Sequence, residues 1–471
     1  MTIELGTNTS AEEISKCDVV VAFLGGPRDA EKLSPSELSP ARGYYDTTYR
    51  FTEKGEVYDF PTAFAGRALA EWCKPSKNFI VLGTRDSLWS LLLPQEINPD
   101  GLSEEQKAVM ETVRASETKI DEHILASLQT ILNNEPKDGS RLTYKLHLIE
   151  PGHDADPAES LRQQQHMLEY LHEAVPRNAT VYIDITHGLR SFPLLGLVSM
   201  LYLKSVSAVE ISGIYYGAYD LRTETASGSI TPMVDQSGLL GIIDWVEALY
   251  AFKKYGDFAE FAPLLKGIPN RSIEQLKTGA HWERVNRVDK AEKSLERFSE
   301  TITAASLTGP AALFKSELEK ELSVWKKQDS DDIHPALGLY RKQRSLAIKY
   351  LKVNDALRGT LLGYESVITG LFLRVTKTYA GGFSNYQIRK DLESQASNLK
   401  DSTFRDINGD FITLKTIRNS FAHGLAQTKE EGEALEKRLN KNSTKEDTIC
   451  EIRKLLKKLA PKYLGQPSKN K

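Results

Sequence analysis

Cysteine is scarce in this sequence, which has three in 471 residues: Cys17, Cys73 and Cys450. Their odd number and wide separation along the chain exclude a disulfide framework and a CxxC zinc site. Long apolar runs are missing as well, since the longest, FPLLGLVSMLYL at 192–203, is well short of the ~20 residues that a membrane span needs. The first residues, MTIELGTNTS, contain no basic segment followed by an apolar core. We therefore expect a soluble, cytoplasmic protein with no signal peptide and no membrane segment.

A strong charge of either sign is also absent. Lys and Arg number 61 against 64 Asp and Glu, which gives a formal net charge of −3. A strongly basic chain would indicate binding along an extended nucleic acid; this balance does not, although it permits a local basic groove. At 471 residues the chain is too long for one ordinary hydrophobic core, so two or three domains are expected.

The first half of the chain alternates strand-like and helix-like segments. Five segments are either short apolar runs or alternate apolar with polar residues, as strands do: 18–26, 78–84, 141–150, 180–186 and 209–220. An apolar helix is predicted over 190–204, between the last two. This order predicts an α/β, Rossmann-like domain with a parallel-rich sheet, right-handed crossovers and helices on both faces.

The second half has the pattern of an all-α domain. Apolar residues recur at helical spacing over 357–375, and polar connectors are predicted at 324–332 and 381–403. We expect the domain boundary near 235–245, with a first domain over 1–237 and a second over 238–471.

Polar residues follow the carboxyl ends of the predicted strands, although neither GxGxxG nor GxxxxGKS/T occurs. Ligands of open α/β sheets bind at that edge, where helix N-termini and arginines favour phosphates. The segments YYDTTYR at 44–50 and PGHD at 151–154 are assigned to the same edge. The predicted ligand-binding residues are Gly25, Gly26, Arg28, Thr84, Arg85, Thr186, His187, Gly188 and Arg190.

The segment DITHG has two interpretations. In one, Thr186 and His187 at the strand end contact a ligand, and Gly188 allows a sharp turn into the following helix. In the other, Thr186 caps that helix and His187 is incidental. The other polar strand ends favour the ligand site.

The segment RNSFAHG, residues 418–424, contains groups suited to RNA cleavage. Asn419 and His423 form an i,i+4 pair on a helix, Arg418 is long enough to reach the same place, and Gly424 is a plausible helix stop. Cleaving RNA without a metal requires an activated 2′-OH and a stabilised phosphate, which His and Arg can provide. The alternative is a polar helix end that interacts with its own dipole. One such set has too few groups for efficient acid–base chemistry, which predicts a two-fold symmetric dimer.

These segments together resemble the CRISPR-associated CARF–HEPN ribonucleases of type III systems, the Csx-type effectors. VVVAFLGG, YYDTTYRF, VLGTRDS and especially DITHGLRSFP resemble the nucleotide-sensing CARF half. DWVEALYAFKKYGD resembles the segment that follows it, and RNSFAHG matches the R-x4-H motif of HEPN domains. The resemblance covers most of the chain.

The resemblance implies a switch used in antiviral defence. A cyclic oligoadenylate, for which we expect cyclic tetra-adenylate, would bind across a CARF dimer and activate the HEPN dimer. The HEPN dimer would then cut single-stranded RNA without metal or cofactor, leaving a 2′,3′-cyclic phosphate. Arg418 and His423 would be catalytic with Asn419 assisting, and Thr186 with its neighbours would hold the ring. The assembly would be a homodimer or a higher even-numbered oligomer.

Two alternatives accompany this reading. The chain could be a non-catalytic sensor whose helical half binds a partner, with RNSFAHG structural. In addition to cutting RNA, the CARF half could cleave its own activator, with Thr186 or His187 near the scissile phosphates. The residues themselves fix neither the ring size nor the RNA sequence preference.

Overall fold

The computed structural model describes residues 17–26, 46–93, 102–115, 119–134, 142–150, 157–226, 228–326, 335–376, 382–423 and 445–460. The chain divides into two compact units, Met1–Leu240 and Gly241–Lys471. Of the helices in the described ranges, none has both the length and the apolar character needed to cross a membrane.

The N-terminal unit is built on a nine-stranded sheet whose order is β3-β2-β9-β7-β6-β1-β4-β5, with β8 beside β9. The strands are β1 (Val19–Leu24), β2 (Thr47–Glu53), β3 (Glu56–Thr62), β4 (Asn78–Gly83), β5 (Tyr144–Leu148), β6 (Thr180–Asp184), β7 (Glu210–Gly217), β8 (Thr223–Thr225) and β9 (Gly228–Asp235). The five consecutive strands from β7 to β5 run parallel, whereas β3, β8 and β9 add antiparallel pairs. The predicted parallel-rich, Rossmann-like sheet is confirmed, and β5 lies at its edge.

Helices cover both faces of this sheet because alternate residues of the central strands point to opposite sides. Val20 and Ala22 of β1 belong to the core shared with the first three helices, whereas Val21 and Phe23 belong to the core shared with the next two. The helices are α1 (Ala65–Cys73), α2 (Glu104–Ala115), α3 (Glu122–Asn134), α4 (Pro157–Ala174) and α5 (Ser191–Ser207).

The segment 44–50 contains the start of a strand that was not predicted from the sequence. Its residues from Thr47 onward form β2, which makes a hairpin with β3 and pairs in parallel with β9. Tyr49 is buried in the sheet core, while Arg50 points outward and bonds Asp59 across the hairpin at 2.7 Å. The alternation of a half-buried strand was hidden by the polar residues on its outer face.

In its described ranges the C-terminal unit is helical around one hydrophobic core. Its helices are α6 (Gly238–Tyr255), α7 (Asn270–Arg284), α8 (Val288–Ala304), α9 (Gly309–Leu322), α10 (Pro335–Lys352), α11 (Ala356–Thr376), α12 (Tyr386–Ser397), α13 (Asn408–His423) and α14 (Lys445–Lys458). Helix α6 begins just before the division between the two units.

The connector predicted over 381–403 is wrong, because it contains α12. The Asn385 side chain caps this helix by accepting hydrogen bonds from two backbone N–H groups of the first turn. Leu392 and Ala396 are buried on its inner face. The polar residues that suggested a loop are those on the exposed face of a short amphipathic helix.

Candidate functional site

The topology places a candidate ligand crevice between β1 and β6. From β1 the chain builds β4 and β5 on one side of the sheet, and β6 and β7 on the other. The strand order therefore reverses between β1 and β6, and ligands of open α/β sheets bind outside the carboxyl ends of the strands at such a point. The glycines after β1 and the DITHG turn after β6 lie at this point.

The DITHG turn is held by a chain of hydrogen bonds. Asp184 is fully buried, and its Oδ1 accepts from the Thr186 backbone N–H at 3.0 Å and from the Thr186 hydroxyl at 2.5 Å. The same hydroxyl accepts from the Gly217 N–H at 2.7 Å. Thr186 therefore ties the end of β6 to the end of β7 and shapes the loop beyond it.

The other oxygen of Asp184 has an unusual environment. Oδ2 is buried without a hydrogen-bond partner among the described residues, and a Cβ placed on Gly66 of α1 would lie 3.2 Å from it. Burial raises the pKa of Asp184 to about 7, against the lowering effect of the two bonds from Thr186. This carboxyl group therefore takes up a proton near neutral pH.

His187 is bound to the start of α1. Its Nε2 accepts a hydrogen bond from the Ala65 backbone N–H at 3.3 Å, and the Tyr49 hydroxyl lies 3.4 Å from the same nitrogen. Because Nε2 accepts, the neutral ring carries its proton on Nδ1. His187 thus connects the loop after β6 to the start of α1.

Gly188 and Arg190 lie in the loop between β6 and α5. Gly188 has a φ of +92°, and a Cβ there would lie 3.0 Å from the Phe23 Cβ, so the backbone crosses close over the end of β1. Arg190 is exposed and makes no ion pair within the described ranges. It directly precedes α5, whose first N–H groups have no side-chain cap. A helix N-terminus with a free guanidinium is suited to an anion.

The residues after β4 are directed elsewhere. Arg85 bonds Glu150, beyond β5, at 2.7 Å, and the Thr84 hydroxyl lies 3.2 Å from Ser87 Oγ. The Gly25 carbonyl accepts a hydrogen bond from a backbone N–H of the same β4 loop, which supports the β1 end. A Cβ on Gly26 would lie 3.2 Å from a carbonyl oxygen of that loop.

The structure therefore places Gly25 and Gly26 against the loop after β4 and Gly188 against the end of β1, and it pairs Arg85 with a carboxylate. Arg28 and the segment 151–154 lie outside the described residues.

The RNSFAHG residues occupy the last turns of α13. Arg418 Nη1 donates to Asn419 Oδ1 at 2.7 Å, and the guanidinium carbon lies 5.0 Å from the centroid of the Tyr364 ring. Arg418 Nε is buried without a partner among the described residues. His423 is exposed at the final residue of the helix. The structure thus joins Arg418 to Asn419 and leaves His423 facing solvent; Gly424 lies outside the described residues.

The surroundings of Arg418 are aromatic and charged. Tyr364 of α11 is buried and stacks on Phe411 of α13 with ring centroids 5.6 Å apart. Lys415 pairs with Glu393 of α12 at 2.9 Å. Burial raises the pKa of Glu393, but Lys415, Tyr364 and the Arg418 charge together outweigh it and hold that pKa below its usual value.

Sequence reasoning missed Asp184 and Tyr364 as members of these sites. Asp184 looked like one polar residue in a strand, and Tyr364 like one member of an apolar helical stripe. No local spacing links Tyr364 to Arg418, because the contact joins two helices. In the described ranges no three His, Cys, Asp or Glu side chains are grouped to hold a metal ion; the absence of a metal cofactor stays a prediction.

Comparison with known proteins places the N-terminal unit in a family. Residues 19–220 match the family described as "CRISPR system endoribonuclease Csx1, CARF domain". The CRISPR-associated protein MJ1674 of Methanocaldococcus jannaschii is 25% identical over 399 residues, which are 81% of this chain and 59% of that protein. The chain thus spans less than two thirds of that relative's length. A structure of Csm6 from Enterococcus italicus, bound to cyclic hexa-2′-fluoro-hexa-dAMP, aligns over 94% of both chains with 11% identity and a TM-score of 0.33.

Proposed function

We propose a two-part function for this chain, whose residues 19–220 match the CARF domain of the CRISPR endoribonuclease family Csx1. The sheet unit senses a cyclic oligoadenylate, and the helical unit is a HEPN-type endoribonuclease that the bound ring activates. The observation that carries the proposal is a CARF domain in one chain with a helix ending in Arg418, Asn419 and His423.

The crevice between β1 and β6 supports binding of a cyclic polyanion. Gly188 brings backbone close to the end of β1, and Arg190 adds an exposed positive charge beside the N-terminus of α5. A phosphate there would accept hydrogen bonds from backbone N–H groups and from the guanidinium. A two-fold symmetric ring would place equivalent phosphates in the crevices of two subunits.

RNA cleavage at the helical site follows from the chemistry of its side chains. The 2′-oxygen of the substrate attacks the neighbouring phosphorus while an imidazole takes its proton, and the bond from phosphorus to the 5′-oxygen breaks. The leaving oxygen takes a proton, and the products are a 2′,3′-cyclic phosphate and a 5′-hydroxyl. Arg418, held on Asn419 and Tyr364, stabilises the charge that builds on the phosphoryl oxygens.

The two proton transfers favour a dimer. The RNSFAHG segment of one chain supplies a single imidazole, His423, whereas a two-fold dimer supplies two. An apolar stripe on α5 supports self-association, since Leu194, Val198 and Tyr202 are 65%, 54% and 52% exposed at four-residue intervals. An exposed stripe on an otherwise apolar helix is typical of a surface that another protein covers.

Activation requires that the ring bind the active state more tightly than the inactive one. A hundredfold activation corresponds to about 2.7 kcal/mol of differential binding. Charge-assisted hydrogen bonds to phosphates, each contributing about 1.5–3 kcal/mol, are sufficient if two of them form in one state alone.

The test is cleavage of a fluorescent single-stranded RNA in EDTA with cyclic tetra-adenylate, cyclic hexa-adenylate or no ring. We expect one ring to switch cleavage on, and Arg418→Ala and His423→Ala to abolish it while ring binding survives. His281→Ala, which removes another exposed histidine of the helical unit, is the matched control and should keep wild-type activity.

Ring-dependent cleavage that persists in both active-site variants would refute the proposal. Ring binding without any cleavage would favour the non-catalytic sensor. Cleavage of the ring itself by the CARF half is not favoured, because the Thr186 hydroxyl and His187 Nε2 already bond the protein.

A further inference from the structure

We propose that Tyr364 is a positioning residue for Arg418 in RNA cleavage. This inference rests on the proposed function of the helical unit and adds a residue outside the RNSFAHG segment. Tyr364 lies on α11, whereas Arg418 lies on α13, so the contact joins two different helices.

The guanidinium of Arg418 is held at one face and one edge. Its carbon lies 5.0 Å from the Tyr364 ring centroid, within the range of a cation–π interaction. Its Nη1 donates to Asn419 Oδ1 at 2.7 Å. An arginine side chain has many rotamers, and these two contacts select among them before any substrate binds.

The tyrosine ring is itself fixed, which makes it a suitable platform. Tyr364 is 2% exposed and stacks on Phe411 with an interplanar angle of 27°. Phe411 and Arg418 are seven residues apart on α13, about two turns, so they project from the same side of that helix. The Tyr364 ring therefore contacts both Phe411 and Arg418 on this side of α13.

An aromatic ring holds the guanidinium without neutralising it. The nearby carboxylate, Glu393, is already paired with Lys415 at 2.9 Å and also interacts with Tyr364. A direct ion pair would consume the positive charge that a phosphate needs, whereas a ring quadrupole and a neutral amide leave it available. This distinguishes positioning by Tyr364 from an ordinary structural salt bridge.

The first test compares kcat and KM of activated RNA cleavage in Tyr364→Leu, Tyr364→Phe and Phe372→Leu. Phe372 is a matched control, because it is an equally buried aromatic residue of α11 that makes an edge-on contact with Phe383 instead. We expect Tyr364→Leu to lower kcat about tenfold with KM within twofold, Tyr364→Phe to keep at least half of the wild-type kcat, and Phe372→Leu to stay near wild type. Equal losses in the two leucine variants would overturn the proposal, as would an equal loss in Tyr364→Phe.

The second test needs no activity. In the full-length protein with 15N-labelled arginine, the Arg418 Nε–H signal, assigned by its absence from Arg418→Ala, should show a ring-current shift. The shift should vanish in Tyr364→Leu and persist in Tyr364→Phe; a signal unmoved by Tyr364→Leu would overturn the contact. A wild-type protein that shows the shift but cuts no RNA with any ring would instead refute the proposed function, and with it the catalytic role of Tyr364.

Discussion

Asp184 should make the stability of the N-terminal unit depend on pH. Its carboxyl group is fully buried, and burial raises its pKa from 3.8 to about 7. Between these two values the folded protein holds a proton that the unfolded chain releases. The free energy of unfolding therefore falls as the pH rises from about 4 to about 7.

The size of this effect follows from the pKa difference. A change from 3.8 to about 7 corresponds to about 4 kcal/mol in total. About 2.5 kcal/mol of that falls between pH 5 and pH 8. Asp184→Asn removes the titration but keeps an oxygen that can accept the bonds from Thr186, so it isolates the proton from the geometry.

Thermal unfolding of the wild type and Asp184→Asn at several pH values between 5 and 8 measures the effect. For a unit of this size about 2.5 kcal/mol corresponds to roughly 5–10 °C in Tm. We expect the Tm of the wild type to fall by that amount relative to the Tm of Asp184→Asn as the pH rises. The direction of this change is fixed, because unfolding releases a proton from the wild type and none from Asp184→Asn.

Asp18→Asn is the matched control in the same unit. Burial opposes ionisation of Asp18, but the Thr180 N–H at 3.0 Å and contacts from Ser76 and Lys77 hold its pKa below the usual value. Its stabilising effect is present above the unfolded pKa and is lost only as the pH falls further, so the Asp18→Asn difference should be constant between pH 5 and 8. An Asp184→Asn difference that is equally constant would refute the reasoning.

Other predictions concern the ligand crevice and self-association. Gly188→Ala should weaken ring binding at least tenfold in a calorimetric titration, because φ is +92° and its Cβ would crowd β1. Arg190→Ala should weaken binding roughly tenfold or more, whereas Arg85→Ala should change it less than threefold, because that guanidinium is paired. Val198→Glu should shift the oligomer towards monomer in light scattering; Leu313→Glu, at a position 87% exposed, should not.

The architecture was predictable where burial alone determined the residue pattern. Buried parallel strands such as 18–26 and 78–84 read as continuous apolar runs, and the polar residues after them lie at one edge because parallel strands end together. The hairpin of β2 and β3 was not predicted, since its exposed face carries charged residues such as Arg50 and Asp59. Nor could the sequence show that Arg85 forms an ion pair with Glu150, which follows β5.

The candidate catalytic helix was predictable in part. The spacing of Asn419 and His423 and the apolar flank of Phe411 and Ile417 predict a helix, and α13 is that helix. The aromatic platform under Arg418 was not predictable, because Tyr364 repeats only with the apolar positions of its own helix. A contact between helices that are distant in the sequence produces no periodic residue pattern from which it could be predicted.

The pairing of β1 with β6 and of β2 with β9 affects the folding of the protein during synthesis and the choice of boundaries for a separate N-terminal fragment. Val19 pairs with Val181, and Thr48 pairs with Ile230, so early strands must wait for partners synthesised much later. At about 5–20 residues per second that wait lasts roughly 10–30 s on the ribosome.

The homologous stretch 19–220 ends before β9, the strand with which the β2–β3 hairpin pairs. A separately expressed sensor fragment should therefore extend beyond Asp235.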